Sequence, residues 1–108
     1  MKQEPNELVR NKIPAQLKEQ GFKVKAKKIK DDKEFAKALK EKFSTISRDI
    51  SRTSDEDLAE ALADVFQVTE DLVKAVGLTM KDVKQAKIAK KSLMGGFSAR
   101  KLLVSYQN

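Results

Sequence analysis

Apolar residues recur at helical spacing in three stretches of the chain. Phe35, Leu39, Phe43, Ile46 and Ile50 lie three or four positions apart and predict one apolar stripe on a helix that starts after Asp31. Asp31 with Glu34 has the form of a capping box and marks that start. Leu58, Leu62, Val65, Phe66, Leu72, Val73 and Val76 predict a second helix, opened by Ser54 with Asp57 and closed by Gly77. Val83, Ala86 and Ile88 or Ala89 predict a third, opened by Thr79 with Asp82 and broken by Gly95-Gly96. Pro14 suits a first helical turn and Gly21 a helix stop, so a short helix is predicted from about Pro14 to Gln20.

The remaining segments read differently. Phe22 to Ala26 alternates apolar and basic, which predicts an extended segment too isolated to build a sheet. Phe97 to Tyr106 predicts a short extended or helical tail carrying Leu102, Leu103 and Val104. Residues 1–6 are expected to be a disordered tail, and residues 7–108 a single domain. The expected fold class is all-α: two long antiparallel amphipathic helices joined by a short turn, with shorter flanking helices. Two helices alone cannot bury a stripe on both sides, so dimerisation is expected to complete the bundle. Completion by the third helix and the tail is the alternative.

Composition narrows the chemistry. The 108 residues include no cysteine, which excludes disulfides, a thiolate nucleophile and cysteine-held zinc. They include no histidine, which removes the commonest general base and transition-metal ligand. A bound metal would then be oxygen-held magnesium, manganese or calcium. The net charge of +7 favours anionic partners, or else reflects lysine-rich solvated faces. No apolar run of about 18 residues exists to span a bilayer, and the first residues are polar, unlike a secretory leader. A cytoplasmic address and no membrane partner are expected.

The candidate chemistry centres on Glu60 to Val68, where Asp64 stands among core-forming residues. An acid there is costly unless something pairs with it, so Asp64 is expected either to sit at the rim of the core or to face a metal or a cation. Glu7-Leu8-Val9-Arg10-Asn11-Lys12-Ile13-Pro14 resembles the N-terminal motif of the small all-α nucleotide pyrophosphohydrolases, the group related to MazG and to phosphoribosyl-ATP pyrophosphohydrolase. The resemblance continues through Lys40 to Phe43, Glu60 to Val68, and Gly95-Gly96-Phe97 with Leu102-Leu103, in order over nearly the whole chain. It implies magnesium-dependent cleavage of a nucleoside triphosphate between the α and β phosphates, in a homodimer. The metal would sit on acidic residues of two packed helices, in a Glu-Glu-x-x-Glu and a Glu-x-x-Asp pattern, since several carboxylates facing one point hold divalent ions and position water. Arg10, Lys12 and Lys42 would be the phosphate contacts, and Asp49 and Asp64 the residual metal ligands.

The chain departs from that pattern. Ala61 stands where the second motif has glutamate, and Glu60 points about 100° away round the helix. In the preferred register the three glutamate positions of the first motif are Thr45, Ile46 and Asp49; a one-residue slip makes them Ser44, Thr45 and Arg48. Asn11 replaces an aspartate. Two carboxylates hold magnesium only when substrate phosphates and waters complete the shell. The expectation is therefore a nucleotide-binding protein of degenerate, weak or absent hydrolysis. An active pyrophosphohydrolase using Glu56, Asp57 or Glu60 is one alternative. A basic helical module binding nucleic acid through Lys23–Lys30 and Lys81–Lys91 is another, with few free aromatic rings for stacking. The plain alternative for Arg10 and Lys12 is ordinary surface charge. For Asp49 and Asp64 it is a salt bridge to a neighbouring lysine or to Arg48.

Overall fold

The computed structural model describes Gln3 and residues 5–108. Among these residues the protein is all-helical, without a strand: α1 (Ile13–Glu19), α2 (Asp32–Ile50), α3 (Leu58–Ala75) and α4 (Met80–Met94). The expected disordered tail over residues 1–6 falls partly outside the described residues. No helix of the described residues is long and apolar enough to cross a membrane.

Local chemistry sets the helix ends. α1 carries Pro14 in its first turn. It stops in a Schellman arrangement, with Gly21 N–H donating to the Lys18 carbonyl, Phe22 N–H donating to the Leu17 carbonyl, and Gly21 at φ +94°. Asp31 caps α2 by accepting the Glu34 N–H at 3.1 Å. Thr79 and Asp82 form the complete capping box of α4, each side chain accepting the other's backbone N–H. The predicted start of α3 is corrected. Ser54 donates its hydroxyl to Asp57 Oδ2 at 3.2 Å, but this bond closes a turn, and the helix proper begins at Leu58.

The chain divides into two compact units, Met1–Gly77 and Leu78–Asn108. In the first, α2 packs on α3. The beginning of α2 lies beside the end of α3, where Asp32, Phe35, Asp71, Lys74 and Ala75 line one shallow depression. The buried core is small: Leu39 at 3%, Val68 at 9% and Val73 at 8% exposure. Ala61, Val65 and Leu72 of α3 and Phe35, Ile46 and Ile50 of α2 are half-buried around it.

Two sequence expectations are revised here, for the apolar stripes and for the second unit. Phe43, Leu62, Phe66 and Val76, expected in the stripes, are exposed. Phe66 stands two residues from Val68, about 200° round the helix, so the two cannot face the same neighbour. Phe22–Lys30 has no regular structure and builds no sheet, as expected of an extended segment without a partner strand. In the second unit, α4 is exposed except at Met80 and Val83, and residues 97–106 form neither helix nor strand.

Candidate functional site

The segment before α1 and the packed faces of α2 and α3 enclose a groove of about 590 Å³. Leu8, Ile13, Leu39, Ile46 and Val68 supply its apolar lining, and its polar wall comprises Arg10, Asn11, Lys42, Asp64, Gln67 and Asp71. Helical spacing explains the convergence. Leu39, Lys42 and Ile46 follow at intervals of three and four on α2, as do Asp64, Val68 and Asp71 on α3, so each triplet lies along one face. Leu8 and Ile13 are half-buried, which holds this chain segment against the helix pair and carries Arg10 over the groove.

Two ion pairs span it. Arg10 Nη2 lies 2.5 Å from Asp64 Oδ1, their side chains 55% and 48% exposed. Lys42 Nζ lies 3.3 Å from Glu7 Oε2. Asp64 thus lies half-exposed at the rim of the core, paired with Arg10 and with neither a lysine nor Arg48. The pairs have a shared consequence: both cations of the groove are held by internal carboxylates. An incoming phosphate would have to displace a carboxylate to form a bidentate contact with Arg10 or an ion pair with Lys42.

The other predicted residues lie elsewhere. Lys12 is exposed at the N-cap of α1, without a side-chain cap bond, and does not line the groove. Asp49 is exposed in the last turn of α2, also outside the groove. Seven residues separate it from Lys42, about 10 Å of helical rise. Of the other two positions where the resemblance expects glutamate, Ile46 joins the groove's apolar wall, and Thr45 donates its hydroxyl to the Glu41 carbonyl at 3.1 Å.

Among the described residues no three acidic side chains come together as a metal-holding group. Asp64 is engaged with Arg10, Asp49 is remote, and Asp71 lies two turns further along α3 with Gln67 donating to it at 3.2 Å. This donor set does not fit a protein-held magnesium ion, and no chemical step is derived through one. An anion could meet Arg10 and Lys42 only by displacing Asp64 and Glu7, beside an apolar wall of Leu8, Ile13, Leu39, Ile46 and Val68. Glu7, Gln67 and Asp71 were not anticipated. The apolar cluster Leu8, Val9 and Ile13 ahead of a proline-started helix is the signal that the segment packs, and it would have drawn attention to Glu7.

Compared with known proteins, the chain matches no protein family, no curated protein and no solved structure.

Proposed function

We propose that this protein is a catalytically degenerate relative of the all-α nucleotide pyrophosphohydrolases, which binds the phosphates of a nucleoside triphosphate and hydrolyses it weakly or not at all. One observation carries the reading. Arg10, Lys42 and Asp64, which the family resemblance assigns to a single site from three distant stretches of sequence, line the same groove. The replaced glutamates and the Arg10–Asp64 pair support degeneracy, because the carboxylate that would hold a metal instead neutralises a cation.

The same reading takes α2 and α3 as an antiparallel pair completed in a homodimer. A buried core of only Leu39, Val68 and Val73 supports it, since so few side chains give little stabilisation to a chain of this length.

Calorimetric titration with the common nucleoside triphosphates, with and without magnesium, tests the proposal alongside a pyrophosphate-release assay. Magnesium-independent binding with turnover well below about 1 s⁻¹ is the expected result. Turnover at or above that rate refutes the degeneracy, and failure to bind any nucleotide refutes the reading as a whole.

A further inference from the structure

Charge is divided unevenly along this chain. Leu78–Asn108 carries five lysines on α4 together with Arg100 and Lys101, against the single acid Asp82, and so holds +6 of the net +7. Asp82 is itself engaged in the capping box. Between Arg52 and Lys74, by contrast, lie seven acids and no base.

Both regions expose apolar side chains beside their charges. On α3, Ala59, Leu62, Ala63 and Phe66 occupy positions i, i+3, i+4 and i+7, share one face and are all exposed, Phe66 at 65%. Glu60 and Glu70 border that face. On α4, Ile88 is 68% exposed and stands between Lys84 and Lys91, about one turn to either side. Leu93, Phe97, Leu102 and Leu103 are exposed beyond it.

The area of exposed surface leads in the same direction. The chain exposes 10616 Å². A compact chain of this mass exposes about 6,000 Å², and two separately compact units of these sizes about 7,000 Å². The surplus, about 3,500 Å² per chain, lies partly in the segments without regular structure and exceeds the roughly 1,000–2,500 Å² per partner that a large permanent interface removes, so an interface of that size can be drawn from it.

We propose that the acidic, apolar face of α3 in one copy receives the basic C-terminal unit of a second copy, and the reverse, closing a two-fold dimer. This inference rests on the homodimer part of the reading above and is independent of the nucleotide part. Other occupants satisfy only half of the observations. An anionic lipid surface would match the C-terminal unit but leave the α3 face uncovered. Nucleic acid would pair with the lysines and could stack on the exposed rings of Phe97 and Tyr106, but like a lipid surface it would leave the acidic α3 face uncovered. An acidic partner with exposed apolar groups meets both requirements, and the chain supplies that surface itself.

Paired charge reversals on the full chain test the proposal. One variant carries Glu60→Lys and Glu70→Lys, the other Lys84→Glu and Lys91→Glu, and mass is read by light scattering at low salt. The wild type is expected to be a dimer that weakens as salt rises. Each variant alone is expected to bind itself about 10-fold more weakly or worse, because the opposing charges at each contact fall from −7 against +6 to −3 against +6 or −7 against +2. An equimolar mixture is expected to restore the dimer, since one contact of the mixed pair regains −7 against +6 and the other brings the two sets of reversed charges together. Variants that remain dimeric overturn this interface while leaving the homodimer intact. Two monomeric variants that do not rescue each other overturn the exchange between copies. A monomeric wild type, whether free or bound to anionic vesicles or nucleic acid, overturns the inference and the homodimer together, whereas nucleotide titration of the same sample reads the groove independently.

Discussion

Replacing Asp64 by asparagine separates an anion groove from a metal site, because the two readings demand opposite outcomes. In the structure Asp64 competes with any phosphate for Arg10, at 2.5 Å and with both side chains about half exposed. Exposed ion pairs contribute about 0.2–1 kcal/mol, so freeing Arg10 favours phosphate binding by up to about that amount. The variant also removes a negative charge roughly 5 Å from a phosphate seated on Arg10. In a water-like surrounding that repulsion is about 0.8 kcal/mol. Together the two effects reach about 1–2 kcal/mol, which is roughly a 5- to 20-fold gain in affinity. Calorimetric titration with pyrophosphate and with a nucleoside triphosphate, without magnesium, measures it directly. The gain should shrink in about 0.5 M salt, where charges more than a few ångströms apart are screened. Asp49→Asn should leave the same affinity unchanged, because Asp49 lies outside the groove. Unchanged or weaker binding by the Asp64→Asn variant refutes the assignment of Asp64 as an internal counter-ion. Loss of magnesium-dependent binding in both variants would mean that the two carboxylates share an ion.

Two further outcomes test the fold that supports the groove. Leu39→Ala empties the best-buried position and should destabilise the first unit by about 2–5 kcal/mol in urea titration, with loss of nucleotide binding at 37 °C; a cost below about 1 kcal/mol would mean that α2 and α3 are not held through this contact. Thr79→Ala removes the hydroxyl that accepts the Asp82 N–H at 3.1 Å and should reduce the stability of α4 by about 1 kcal/mol, read as lost helicity on heating, with nucleotide affinity unaffected.

Periodicity and capping residues made the helices readable from the sequence. The predicted helix starts at Asp31 and Thr79 and the stops at Gly21, Gly77 and Gly95 all hold, because each depends on residues within one turn of it. The start at Ser54 failed by a few residues for a related reason. A side-chain bond between positions i and i+3 closes a turn as readily as it caps a helix, and only the following backbone decides which. The stripes were harder to divide. Apolar residues fill two sides of α3, and periodicity cannot say which side a given neighbour covers.

For the site, the sequence by itself determined the chemistry allowed: no thiol, no imidazole, carboxylates at Asp64 and Asp71, and cations at Arg10 and Lys42. Tertiary structure decided the pairing. Arg10 and Asp64 stand 54 positions apart, and Lys42 and Glu7 stand 35 apart. Such contacts follow from how the segment before α1 crosses the α2–α3 pair, a long-range event that no local pattern encodes. Nothing in the residues around Asp64 distinguishes a carboxylate awaiting a metal from one already matched by an arginine. The difference lies in whether the half-exposed flank of the helix pair receives a second carboxylate or a guanidinium, and it is packing that delivers Arg10 there.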